Sequence, residues 1–120
     1  MSKIEEIIIK EGGIAMIKAY LLVKETIPLG KAINSCAHAG SLIEKHFPRE
    51  NDKVMQEWWK GLIRKVTCKV DEKTFEAAKK YEDWFAVTEA TLDGEETVLV
   101  FKPRYEEEWP KFFKFLSLYK

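Results

Sequence analysis

IPLGKAINSCAHAGS, residues Ile27–Ser41, reads as a sharp turn followed by a helix of small side chains. Pro28 and Gly30 mark the turn, and Pro48 stops the helix after Phe47. Helical spacing places Lys31, Asn34, Ser35 and His38 at i, i+3, i+4 and i+7, so four polar groups share one face. Ile33, Ala37, Gly40 and Ile43 fall on another face, which is expected to lie against a sheet. Lys31 stands in the first turn, where a cation opposes the positive end of the helix dipole at a cost of roughly 0.3–1 kcal/mol. A lysine at that cost, with a histidine further along the same face, predicts a site. Taken singly, each has a plainer reading: Lys31 as a solvated lysine, His38 as a core histidine donating one hydrogen bond.

Working outward, Ile14–Lys24 is nearly all apolar and predicts a central strand covered on both faces. On the other side, Asn51 or Asp52 can cap a helix over Lys53–Ile63, with Trp58 and Leu62 turned to the core and Trp59 elsewhere. Arg64–Val70 alternates: Val66, Cys68 and Val70 point one way, Lys65, Thr67 and Lys69 the other. Asp71 caps a helix over Glu72–Tyr81. Trp84–Leu92 and Thr97–Lys102 read as a hairpin about the turn at Asp93-Gly94. Glu106–Tyr119 is the last helix, with Pro110 near its start and Phe112, Phe113, Leu116 and Tyr119 on the sheet. The order β-α-α-β-α-β-β-α predicts an α/β fold: a mixed sheet with helices on both faces. Ligands of such sheets bind beyond the carboxyl ends of strands, where Lys31 would stand.

The chain has 120 residues and is expected to form one domain over residues 14–120. Residues 1–13, with Ile4, Ile7, Ile8 and Ile9 before Gly12-Gly13, form an appendage packed on it or turned to a partner. Lys+Arg and Asp+Glu number 20 each, which argues against gripping nucleic acid by bulk charge. Cys36 and Cys68 are two isolated thiols, as in a reduced cytoplasmic protein, and no cluster has metal spacing. Cys36 and His38 are two apart on a helix and point in different directions, so they are not a nucleophilic pair. The apolar run at Ile14–Val23 is too short to span a membrane.

At Gly30-Lys31 and His38-Ala39, after the strand Tyr20-Leu21-Leu22-Val23-Lys24, the chain resembles the type 2 peptidyl-tRNA hydrolases. The resemblance covers roughly Lys18 to Tyr119 and includes Lys65–Val70, Asp71-Glu72-Lys73-Thr74 and Leu118-Tyr119. It implies a three-layer αβα sandwich on a mixed four-stranded sheet. It also implies hydrolysis of the ester joining a peptidyl group to tRNA, without metal or organic cofactor, in an often dimeric protein. By that resemblance Lys31 and His38 are site residues, with Asp93 and Thr97 matching the spacing of the second motif. In another register Thr97 simply opens the last strand, and the acidic position falls to Thr91 or Glu89. Ser35 stands at the family's helix glutamine, with Asn34 before it. Candidate RNA contacts are Lys24, Lys31, Lys60, Arg64 and Lys65, with Trp58 or Trp59 for stacking. Glu95 and Glu96 beside a phosphate would repel it. They favour the alternative of a non-catalytic relative that binds RNA, nucleotide or protein.

Overall fold

A computed structural model of the chain describes residues 16–120, so the expected appendage over 1–13 lies outside the described residues. The elements are β1 (Ile17–Lys24), α1 (Leu29–His46), α2 (Lys53–Lys60), β2 (Arg64–Val70), α3 (Glu72–Ala78), β3 (Trp84–Glu89), β4 (Glu95–Tyr105) and α4 (Lys111–Lys114). Short 3-10 turns follow β3 at Ala90–Leu92 and β4 at Glu106–Glu108.

The sheet runs β2-β1-β4-β3. β1 and β2 are parallel, and β4 is antiparallel to both β1 and β3. The carboxyl ends of β1, β2 and β3 therefore share one end of the sheet. β1 is buried on both faces, as its apolar run predicts. Ile17, Ala19, Leu21 and Val23 pack under α1 and α2 with Ala39, Ile43, Met55 and Trp58. Tyr20 and Leu22 pack on the other face with Phe75, Trp109 and Phe113. The αβα sandwich on a mixed four-stranded sheet is thus the observed architecture. Among the described residues, no helix is long and apolar enough to cross a membrane.

Two bulges in β4 adjust this frame. One falls opposite Lys18–Tyr20, around Pro103, which has no N–H to give the ladder. The other falls where Val87 pairs Val98 and Thr88 pairs Glu96, which leaves Thr97 as the extra residue. Thr97 is fully buried, and its hydroxyl lies 2.8 Å from Ser35 Oγ and 3.2 Å from the Val87 carbonyl oxygen.

Several element ends differ from the sequence reading. The second helix stops at Lys60, because Gly61 caps it and Ile63 adopts a left-handed conformation (φ 51). Leu62 is consequently 74% exposed and not in the core, while Trp58 is buried and donates its indole N–H to the Arg64 carbonyl. β3 ends at Glu89, whose carboxylate accepts the Thr91 N–H and starts a 3-10 turn. The final helix is only Lys111–Lys114, because Trp109 and Pro110 are extended and proline cannot sit inside a helix. Beyond it the chain extends along β2: Lys69 N–H donates to Ser117 O, and Tyr119 N–H to Thr67 O. This tail covers the outer edge of β2.

Candidate functional site

α1 begins without a side-chain cap, after Pro28, and its first turn holds no acidic residue. It is rotated from the expected orientation. Ala32, Ser35, Ala39 and Ile43 face the sheet, whereas Ile33 is 62% exposed. Ser35 can be buried because Thr97 satisfies its hydroxyl. The expected polar face is therefore divided. Ser35 is inside, Asn34 and His38 are exposed, and Lys31 lies half-buried on the flank turned to β3.

On that flank Lys31 Nζ donates to Thr91 Oγ1 at 2.6 Å. Thr91 in turn donates its hydroxyl to Glu89 Oε1 at 2.8 Å and its N–H to the same oxygen at 3.2 Å. Glu89 is held below the usual carboxylate range, first by the Thr91 hydroxyl and N–H, then by the nearby charges of Lys31 and His38. Lys31, Thr91, Glu89 and His38 thus form one electrostatic unit at the carboxyl end of β3, where sheets of this kind bind ligands. It offers a cation, two hydroxyl or carboxylate acceptors and an imidazole, open to solvent on one side. This is the constellation needed to polarise a carbonyl and orient a water.

Asp93 sits at the tip of the hairpin in the left-handed conformation (φ 55), followed by Gly94 (φ 73). A hairpin turn with two positive φ values favours this Asp-Gly pair. Among the described residues Asp93 makes no side-chain hydrogen bond or ion pair. Thr97 holds α1 to the sheet through Ser35 and is closed to solvent.

The expected basic contacts are dispersed. Lys24 is buried, its ammonium 3.5 Å from Glu95, 3.9 Å from Glu72 and 4.8 Å from the Phe75 ring centroid. It belongs to the α3 side of the sheet. Lys60 and Arg64 stand at the amino end of β2, the opposite end of the sheet from Lys31. Arg64 lies 3.0 Å from Met16 Sδ. Lys65 Nζ is 5.6 Å from the Trp58 ring centroid, and Trp59 is covered by the Arg49 guanidinium at 4.6 Å. Glu96 pairs with Lys79 at 2.5 Å. Both carboxylates expected to repel a phosphate are therefore turned to lysines on the far face.

A cleft of about 350 Å³ opens on the other flank of α1, lined by Leu29, Ala32, Ile33, Cys36, Thr67 and Tyr119. The sequence reading did not assemble it, because Tyr119 reaches it only through the pairing of the tail with β2. Burial raises the Cys36 thiol above its ordinary range and Cys68 to about 11, so neither is a ready nucleophile. Among the described residues no cluster of His, Cys, Asp and Glu could hold a metal ion.

Comparison with protein families matches residues 17–119 to peptidyl-tRNA hydrolase PTH2. The chain belongs to this family. A search of curated proteins finds no match to it.

Proposed function

From membership of the peptidyl-tRNA hydrolase PTH2 family as premise, we propose that this chain hydrolyses the ester between a peptidyl or N-blocked aminoacyl group and tRNA. The observation that carries the reading is the hydrogen-bonded series Lys31–Thr91–Glu89 beside His38.

In this reading the ester carbonyl oxygen lies at the Lys31 ammonium, which stabilises the oxyanion as it develops. Water attacks the carbonyl carbon. Its proton passes to the Glu89 carboxylate, and the C–O bond to the ribose breaks. The leaving ribose oxygen then takes that proton, giving a free acyl carboxylic acid and a tRNA hydroxyl. Thr91 fixes both partners, since it accepts from Lys31 and donates to Glu89. His38 adds positive potential beside Glu89 when protonated. In this reading Asn34, exposed one helical turn from His38, touches the substrate. All steps use groups of the chain and water.

Glu95 pairs with Lys24 and Glu96 with Lys79, which supports the hydrolase reading on one of the two features, beside the zero net charge, that favour a non-catalytic relative. The test is release of tRNA from an N-blocked aminoacyl-tRNA by wild type, Lys31→Ala, Glu89→Gln and Asp93→Ala. Loss in the first two variants with turnover kept in the third is expected. Loss in Asp93→Ala as deep as in Glu89→Gln gives the acidic role to the hairpin tip. No turnover by folded wild type at low salt overturns the reading and leaves a binding module.

A further inference from the structure

Glu96 and Lys79 take no part in the ester chemistry, yet both hold the hairpin that carries it. Glu89 and Thr91 stand at the end of β3 and in the turn after it. β3 is the last strand of the sheet, and β4 is its ladder partner. The distance from this hairpin to Lys31 on α1 is therefore set by side chains as well as by the ladder.

The bulge in β4 decides which side chains. The extra residue puts Thr97 and Val98 on the α1 face together: Thr97 meets Ser35, and Val98 joins the core under α1. Glu96 is thereby turned to the α3 face. In an unbulged strand, alternation from Val98 would point Glu96 to the α1 face, the side of Lys31. Instead it accepts from Lys79 Nζ at 2.5 Å, and both residues are half-buried. Lys79 is itself anchored. It caps the carboxyl end of α3, its ammonium meets Glu76 at 3.1 Å and lies 5.5 Å from the Phe75 ring centroid, and its carbonyl accepts the Trp84 indole N–H at 3.1 Å. One residue thus holds the start of β3 by its main chain and the start of β4 by its side chain. In the ladder Glu96 stands opposite Thr88, the residue before Glu89.

We propose that Glu96 and Lys79 are positioning residues for the reaction: their hydrogen bond fixes the β3–β4 hairpin against α3, so that Glu89 and Thr91 stay within reach of Lys31. The inference rests on the hydrolase reading and names what holds the two halves of its site in register. Ser35–Thr97 ties the opening of β4 from the α1 side, and Lys79–Glu96 ties it from the α3 side. A misplacement of about 1 Å at reacting groups costs on the order of 100-fold, so partial loosening is visible in the rate. Lys24 does not share this role. It stands on β1, 3.5 Å from Glu95 at the first position of β4, and among the described residues has no hydrogen bond to β3.

The hydrogen bonds from Thr91 to Glu89 travel with the hairpin, whereas the charges of Lys31 and His38 belong to α1. Across the ladder the charged residue opposite Glu89 is Glu95, which pairs with Lys24. Loosening the hairpin weakens the hold of the α1 cations on Glu89, so the carboxylate should titrate at higher pH.

The test follows the Glu89 side-chain carboxyl carbon through a pH titration of the isotope-labelled full chain, beside kcat and KM for tRNA release. In Glu96→Gln and Lys79→Met, Glu89 should titrate at higher pH than in wild type. In the same variants kcat should fall about tenfold while KM stays within about twofold. Lys79→Arg, which keeps the cation, should restore both. In a Lys31→Ala background Glu96→Gln should shift the titration less, because the effect runs through the α1 cations. Asp52→Ala breaks the ion pair with Lys102 further along β4. It should lower the melting temperature and leave the Glu89 titration in place. An unmoved Glu89 in folded Glu96→Gln overturns the inference, however far the melting temperature falls. A Glu89 that moves in a protein without turnover removes the ester chemistry and keeps the tie. Normal kcat with an unmoved Glu89 removes the tie and keeps the hydrolase.

Discussion

Lys24 and Lys31 stand at the same end of the sheet and have opposite surroundings. Lys24, on the α3 face, is buried over Phe75 and closed by Glu72 and Glu95. Lys79 beside it is closed by Glu76 and Glu96, and the Glu96 hydrogen bond is the first cause of its raised pKa. Lys31, on the α1 face, meets a hydroxyl, with the carboxylate one hydrogen bond further back. The first two cations are neutralised where they stand. The third is held one hydrogen bond away from the carboxylate that it acts on. Lys24 and Lys79 meet carboxylates directly, whereas Lys31 meets a hydroxyl dipole whose own partner is the Glu89 carboxylate.

The sharpest way to break this contrast is to remove each cation. Lys31→Ala should cut turnover about 100-fold or more, the scale of losing one oxyanion donor. Its melting temperature should stay close to wild type, as checked by calorimetry. A loss of turnover explained by unfolding would erase the distinction.

Thr91→Val tests the dipole between them. It removes the first cause of Glu89's lowered pKa, so the group should titrate nearer its ordinary value of 4.5. Turnover requires the ionised carboxylate and is lost as pH falls through that pKa. The acid limb of the kcat/KM profile should therefore move to higher pH in Thr91→Val, with about tenfold lower turnover on its plateau. An unmoved limb would take Glu89 out of the reaction.

Asp52 supplies a structural pair for comparison. It accepts the Met55 N–H at the start of α2 and meets Lys102 at 2.6 Å. Burial raises its pKa, but the Lys102 and backbone hydrogen bonds outweigh that and leave it lowered. Asp52→Ala should cost about 1 kcal/mol in urea unfolding with turnover intact. Because the folded-state pKa is depressed, this contribution is present above the ordinary carboxylate value and fades as pH falls through the lowered one.

Lys24→Met should have the smallest effect. A methionine can fill the space over Phe75, and Glu95 and Glu72 are exposed enough to be solvated. Stability should stay within about 1 kcal/mol and turnover should not change. A large loss of activity would place Lys24 with Lys31 after all.

Local pattern carried much of the fold. The apolar run of β1, the alternation of β2 and the cap Asp71 each have a cause within a few residues and stand where the sequence places them, and of the two caps open for α2 it is Asp52 that accepts the Met55 N–H. Proline at 110 was readable as a helix start, but not that the helix ends after one turn and the chain leaves to pair with β2. That pairing satisfies an edge 50 residues away, at Cys68 and Leu118. The site divides in the same way. Lys31 and His38 were visible from helical spacing. The partnership with Thr91 spans 60 positions and is set by the order β1-β4-β3, which no local pattern encodes. Asp93 has the stronger local signature, because Asp-Gly marks a turn. The direction of Glu95 and Glu96 likewise depended on lysines reached across the sheet, not on the charges themselves.

The chain's last residues seal the outer rim of β2 with the amides of Lys69 and Tyr119, and Tyr119 also closes the cleft. One short tail thus covers a strand edge and walls the cleft at once. Whatever fills the cleft holds the tail down and slows hydrogen exchange at those two amides by mass action. A truncation before Ser117 would open a bare strand edge and remove the Tyr119 wall together, so resistance to aggregation and the shape of the cleft would be lost as a single property.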